Sequence, residues 1–286
     1  LSIFIENMNS AEPNDVTALH LPAPAAEHAV LRLRGGAASN AVDHLAEEVP
    51  VALVYNGISH AVMMATPRDL EAFALGFSLT EAIIDNAAEC YGIDIEVGEA
   101  GVAVHLEIAS RAFVALKERR RSLTGRTGCG LCGVDSLDQV YRSLPRLTRP
   151  APLARSAIVR ALAGLKGEQP LNRLTGATHA AAWCGGDGSL LIVREDVGRH
   201  NALDKVIGAM ARMPVRDPAG FMVISSRVSV EMAQKTAMAG VAALVAVSAP
   251  TAAAIRLAEG CGMTVVAFAR GEDFVCYANP AGLLLD

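Results

Sequence analysis

The chain has 286 residues, and its 30 acidic against 25 basic side chains give a formal charge of −5, which argues against general nucleic-acid binding. That length suits one large domain or two moderate ones, and 52% apolar but only 4% aromatic residues point to an aliphatic core. No uncharged apolar run reaches the about 20 residues of a membrane span, and Leu1 to Asn9 lack the basic start of a secretory signal.

Residues 1–45 carry Pro13, Pro22, Pro24 and repeated alanine without periodicity, and read as a loose or partly ordered arm. Order is expected from Glu47. Val51–Tyr55 and Ile58–Met64 read as strands joined by an Asn56-Gly57 turn. Thr66 and Pro67 read as the N-cap and first position of a helix over 68–77. Two further strands, Ile93–Val97 and Val102–Ile108, and a helix over Arg111–Arg121 complete a small α+β domain at 46–122.

The stretch Thr127-Gly-Cys-Gly-Leu-Cys-Gly133 follows, behind the basic run Lys117–Arg121. Its glycines read as a mobile loop, and nearby guanidinium groups favour the nucleophilic thiolate. Residues 123–152 are taken as this loop plus a connector marked by Pro145, Pro150 and Pro152. From 153 to 286 the rhythm changes. Ser156 reads as the cap of a helix ending near Gly164 or Gly167, and strands at Leu190–Val193, Phe221–Ile224, Ala243–Val247 and Thr264–Phe268 alternate with helices at Asn201–Met213, Val230–Met238 and Pro250–Glu259. Nearly all-apolar strands alternating with helices indicate an α/β domain with a mixed or mostly parallel sheet covered on both faces.

Three readings of the cysteine pair stand open. A structural zinc needs about four ligands, but no second Cys-x-x-Cys is present and the seven histidines are scattered. A thioredoxin-like pair usually opens a helix after a buried strand, which the glycines and arginines fit poorly. The third is a nucleophilic or carrier thiol in an anion-binding setting. The other four cysteines stand alone among apolar residues, so the chain reads as reduced and cytoplasmic.

Ligands of open α/β sheets collect beyond the carboxyl ends of the strands. Three polar loops there, Ser225-Ser226-Arg227, Ser248-Ala-Pro-Thr251 and Ala269-Arg-Gly-Glu-Asp273, suit a phosphate or pyrophosphate, against the plainer reading of helix capping. His179, with Arg199 and His200, is either structural or placed to bind an anion or orient a thiol.

Gly125-Arg-Thr-Gly-Cys-Gly-Leu-Cys-Gly133, Thr175-Gly-Ala-Thr-His-Ala-Ala-Ala182, Arg194-Glu-Asp-Val-Gly-Arg-His-Asn-Ala-Leu-Asp-Lys205 and Ser225-Ser-Arg-Val-Ser-Val-Glu-Met-Ala-Gln-Lys235 resemble segments of the FdhD-type formate dehydrogenase accessory sulfurtransferases. So do Val49–Gly57 and Gly76–Glu81, and the resemblance runs in order from about Glu47 to the end. It implies a cytidine-deaminase-like larger domain and a homodimer. It implies sulfur taken from a cysteine desulfurase as a persulfide and passed to the molybdenum bis(guanine dinucleotide) cofactor of formate dehydrogenase. The carrier thiol maps to Cys129 with Cys132 as partner, and the cofactor-binding segment maps to Phe268, Ala269, Arg270, Gly271, Glu272 and Asp273. Glu81-Ala82 departs from the expected Glu-Gly, and Glu272 and Asp273 place negative charge where an anion should bind, favouring backbone contacts or Arg270. A cofactor chaperone with a clamping or redox cysteine pair is the alternative. No metal, nucleic acid or membrane is implied.

Overall fold

A computed structural model describes residues 20–122 and 144–286. The chain opens with a β-ribbon, β1 (Ala25–Arg34) and β2 (Ala37–Ala46), paired antiparallel over their whole length. Of the loose or partly ordered arm expected over 1–45, residues 25–45 are thus an ordered ladder turned by Gly35 and Gly36, both at positive φ, while 1–19 lie outside the described residues.

Next come β3 (Val49–Tyr55) and β4 (Ile58–Ala65), joined by Asn56 and Gly57 at φ 44° and 82°, the left-handed pair that a two-residue hairpin turn needs. Helix α1 (Leu70–Thr80), β5 (Cys90–Gly98), β6 (Gly101–Ile108) and α2 (Ser110–Ser122) follow. The sheet runs β4-β3-β6-β5, with β3 and β6 parallel and the rest antiparallel. Val51, Leu53, Tyr55, Val104 and Leu106 alternate onto one face and bury Phe73 and Leu70 of α1 beneath it.

The second unit contains β7 (Leu153–Ala154), α3 (Arg155–Leu165), α4 (Pro170–Thr175), β8 (His179–Cys184), β9 (Leu190–Asp196), α5 (Arg199–Ala211), β10 (Phe221–Ile224), α6 (Val230–Met238), β11 (Ala243–Ala246), α7 (Ala252–Cys261), β12 (Thr264–Arg270), β13 (Asp273–Ala278) and β14 (Leu283–Leu284). Its six-stranded sheet has the order β13-β12-β11-β10-β8-β9. Only β10, β11 and β12 are mutually parallel; β8, β9 and β13 pair antiparallel to their neighbours. Fully apolar β10 and β11 have α5, α6 and α7 on one face and α3 on the other, as the sequence indicates for a sheet covered on both sides. The mixed character comes from β8 and β13, which were not legible: Ala180–Ala182 has weak strand propensity, and β13 is interrupted by register shifts.

The two units meet where α1 crosses α5 with backbones in contact. A Cβ on Gly76 would overlap the Asp204 carbonyl, and one on Gly208 would overlap that of Ala72. No side chain fits at either position.

Two expected caps take other roles. Helix α1 begins at Leu70 behind Asp69 at φ 55°, while Thr66 is fully buried and bonded across to the second unit. Ser156 donates its N–H and hydroxyl to Asp286 at the chain end.

Candidate functional site

Because β10, β11 and β12 are parallel while β8 runs the other way, one edge of the sheet collects the carboxyl ends of the first three and the start of β8. The sequence-singled residues converge there. His179 opens β8 opposite Asp196 at the end of β9, and Arg199 and His200 begin α5 after the two intervening residues Val197 and Gly198. Ser225 extends the β10–β8 pairing: its N–H donates to the Ala180 carbonyl and its hydroxyl accepts the Ala180 N–H, both at 2.9 Å. Phe268 lies at the far side, its N–H donating 3.2 Å to the Ser248 carbonyl. From β12 to β9 the row spans four strand spacings, about 19 Å at about 4.8 Å each.

These residues are not equally available. Ser226 is buried and donates its hydroxyl to the Arg227 carbonyl, and Thr251 caps α7 by accepting the Ala254 N–H. Capping and loop bracing therefore account for Ser225, Ser226 and Thr251, while Arg227 is exposed and Ser248 half-buried. In the C-terminal segment, Ala269 is packed in the core and offers only its backbone. Phe268 stands at φ 51° and is 44% exposed, 6.3 Å from Tyr277 in tilted contact. Arg270, Gly271, Glu272 and Asp273 form the exposed β12–β13 hairpin, where Glu272 is turned 2.8 Å toward Arg155.

Among the described residues, Arg199 Nε and His200 Nε2 are buried and lack a hydrogen-bond partner. Burial, with Arg199 and Lys235 nearby, pushes the His200 pKa down to about 4, against the opposing pull of Glu231 and Glu81. Glu231 lies 3.9 Å from His200 Nε2. Burial and then Arg199 also lower His179, despite Asp196. Both imidazoles are thus neutral at physiological pH, each with one donor and one acceptor nitrogen, beside a guanidinium.

Behind this edge lies a buried polar knot that sequence reading missed. Asp196, fully buried, accepts from the Thr66 N–H (3.1 Å), the Gly198 N–H (2.8 Å), the Asn201 amide (3.0 Å) and the Lys205 ammonium (2.6 Å). Lys205 also donates to the Thr66 carbonyl at 3.0 Å. Burial lowers its pKa against the attraction of Asp196. A second knot joins Lys235 of α6 to Asp204 (2.8 Å), Glu81 (3.1 Å) and Thr80 (2.9 Å). Burial opposes the Lys235 charge, but the Asp204 and Glu81 carboxylates outweigh it and hold the ammonium above its ordinary range. Both knots tie α1 and its approach to the helices that border the site. The available signal was Asn201, Asp204, Lys205 and Gly208 at helical spacing on α5, a helix that is buried nearly all round.

Cys129, Cys132 and Arg126 lie outside the described residues, as do the side chains of Arg119, Arg120 and Arg121. Burial raises the thiol pKa of each of the four described cysteines, that of Cys184 to about 12. None of these four is an activated nucleophile. Among the described residues no group of three or more His, Cys, Asp or Glu could hold a metal ion, and no helix is long and apolar enough to cross a membrane.

Comparison with known proteins adds the following. The model of the FdhD/NarQ family matches residues 46–284. Sulfur carrier protein FdhD of Bordetella petrii is 50% identical over 273 residues, 93% of this chain and 98% of that protein. Its namesake in Cupriavidus necator is 54% identical over 255 residues, covering 89% and 88% of the two chains. A crystal structure from Desulfotalea psychrophila, described as a formate dehydrogenase accessory protein, superposes with a TM-score of 0.72 over 92% of this chain and 100% of that one. At 22% identity that likeness speaks to the fold alone.

Proposed function

The chain belongs to the FdhD/NarQ family, and from that premise we propose that it is a sulfur carrier serving formate dehydrogenase, with Cys129 as the persulfide-bearing thiol and the donor-lined sheet edge as the seat of the receiving cofactor. The observation that carries this reading is the convergence of His179, Arg199, His200, Arg227, Ser248 and Phe268 on one edge, with two buried donor or acceptor atoms left unpaired there. Unpaired buried polar atoms are costly unless a partner supplies the missing bond. Arg199 Nε can donate to a phosphate oxygen, and a neutral His200 can donate or accept. The row is about 19 Å long, which suits an elongated dinucleotide better than a single phosphate.

In the sulfur step, the Cys129 thiolate attacks the outer sulfur of a desulfurase persulfide. The sulfur–sulfur bond breaks, the desulfurase cysteine leaves as a thiolate, and Cys129 holds the sulfur as a persulfide. The bond between the Cys129 sulfur and the outer sulfur then breaks, and Cys129 leaves as a thiolate. The outer sulfur passes to the molybdenum bis(guanine dinucleotide), written here as substrate, whose reduced metal supplies the two electrons that make it a sulfide ligand. The high thiol pKa values of the four described cysteines support a carrier elsewhere in the chain. On the same reading the units at 46–122 and 153–286 are two domains joined by 123–152, the larger being cytidine-deaminase-like, and the protein is a cytoplasmic homodimer.

Incubation with a cysteine desulfurase and cysteine, followed by mass spectrometry, tests the carrier role. The peptide holding Cys129 is expected to gain one sulfur atom, and Cys129→Ala to lose that gain while still binding guanosine diphosphate. A parent protein that gains no sulfur would leave the cofactor-chaperone reading in its place.

A further inference from the structure

Ten-residue strands β1 and β2 form a separate two-stranded sheet, hydrogen-bonded to no other strand among the described residues, with β2 beside α4. A lone hairpin is marginal in water and normally needs a third strand or a packed face. This one carries an apolar face without a cover among the described residues. Leu31, Leu33 and Val42 are 63%, 69% and 58% exposed, and Ala29 and Ala38, their cross-strand neighbours, are exposed too. The register puts all five on one side, since Leu33 faces Ala38 and Ala29 faces Val42. Exposed apolar side chains clustered this way mark an interaction surface.

The same chain holds a complementary surface. The inner face of the sheet β4-β3-β6-β5 is buried against α1, and by alternation its outer face presents Pro50, Ala52, Val62 and Met64 in two adjacent rows. Val62 is 61% and Met64 47% exposed. Toward β5 the outer face turns polar, with Asp94, Glu96 and Glu107 around His105, whose Nε2 lies 2.9 Å from Glu96. Arg32 is paired with Asp43 and, like Arg34, alternates onto the side of the ribbon opposite Leu31 and Leu33, so the contact is apolar against apolar.

We propose that β1 and β2 form an exchange arm: the Leu31-Leu33-Val42 face of one protomer lies on the Pro50-Ala52-Val62-Met64 face of a second copy, reciprocally about a two-fold axis. Area selects a second copy over a one-way partner. One ribbon face is about 34 Å by 10 Å, about 340 Å², well short of the about 800 Å² per partner of a standard stable interface. In a reciprocal exchange each protomer contributes an arm and a receiving face, so the area doubles to about 680 Å² per partner, at the lower edge of the stable class. The inference rests on the homodimer reading above and assigns it a surface.

The test is the mass of the full chain by light scattering across the micromolar range. The parent is expected at twice the 29.8 kDa chain mass. Leu31→Glu with Leu33→Glu, and separately Val62→Glu with Met64→Glu, should each weaken the dimer about a hundredfold, with an unchanged circular dichroism spectrum because all four side chains are exposed in the protomer. A dimeric parent whose two variants stay dimeric overturns the arm and leaves the homodimer standing. A parent that runs as a monomer overturns both.

Discussion

Lys205→Met tests whether the Asp196 knot holds the start of α5, and with it Arg199 and His200. The substitution keeps the aliphatic stem and deletes the charge. Lys205 and Asp196 are both wholly buried, 2.6 Å apart. The variant therefore leaves a carboxylate in the interior with three remaining donors, from Thr66, Gly198 and Asn201. Breaking a buried pair from one side costs about 3–5 kcal/mol, and three surviving donors point to the lower end, about 3 kcal/mol. Asp196→Asn strands the ammonium instead and should cost a similar amount. The double variant buries no isolated charge, so its cost should fall short of the sum by about 2 kcal/mol. Urea unfolding at neutral pH measures all three, and guanosine diphosphate affinity well below the transition reports whether the α5 start has shifted. Two results would refute the reasoning: a Lys205→Met protein within about 1 kcal/mol of the parent, or single costs that simply add.

Three further outcomes follow from the same geometry. His200 has its pKa depressed to about 4 from 6.5, so its neutral form favours the fold. That contribution is complete above pH 6.5 and is lost as pH falls toward 4. The shift corresponds to about 3 kcal/mol, or about 2 after discounting for partial exposure, and His200→Gln should remove that share of the acid sensitivity in unfolding curves taken at each pH; parallel curves for parent and variant would contradict it. Gly76→Ala drives a methyl into the Asp204 carbonyl across the α1–α5 crossing and should destabilise by about 3 kcal/mol or more, whereas the same change at Gly260, where a Cβ meets nothing within 4 Å in helix α7, should be neutral or stabilising. Glu195 accepts the N–H groups of Leu171 and Asn172 and the Thr178 hydroxyl, so Glu195→Ala should speed hydrogen exchange at the start of α4 and cost about 2 kcal/mol; unchanged exchange there would show that water replaces the carboxylate freely.

What the sequence disclosed divides along physical lines. Strands β10, β11 and β12 and the helices between them were legible because a strand buried on both faces must be almost wholly apolar. Their parallel order then placed three loops on one edge without any knowledge of side-chain contacts. Ala180–Ala182 carries no such signature, because alanine serves helix, strand and core alike, and so β8 was missed and the choice between a mixed and a mostly parallel sheet stayed open. The error left the site intact. An antiparallel β8 starts where a parallel β10 ends, so His179 reaches the same edge as Ser225.

The polar knots were illegible for a stronger reason. A lysine or aspartate on a helix is read as solvated, since burying either alone is prohibitive. Burial becomes tolerable only through partners that the fold assembles: Lys205 pairs with Asp196 and with Thr66, 139 positions away, and Lys235 pairs with Asp204 and with Thr80, 155 away. Such long-range pairs carry no local periodicity. They are, however, what sets the site. Asp196 closes β9, accepts the Gly198 N–H just ahead of α5, and holds the approach to α1 through Thr66. A shift of α1 relative to α5 must therefore strain the turn from which Arg199 and His200 project. The backbone contact at Gly76 and Gly208 blocks that shift sterically, and the two lysine knots oppose it electrostatically. The buried unpaired atoms at Arg199 and His200 are thus held in place before any ligand arrives, and a ligand that pairs them has less ordering to do on binding.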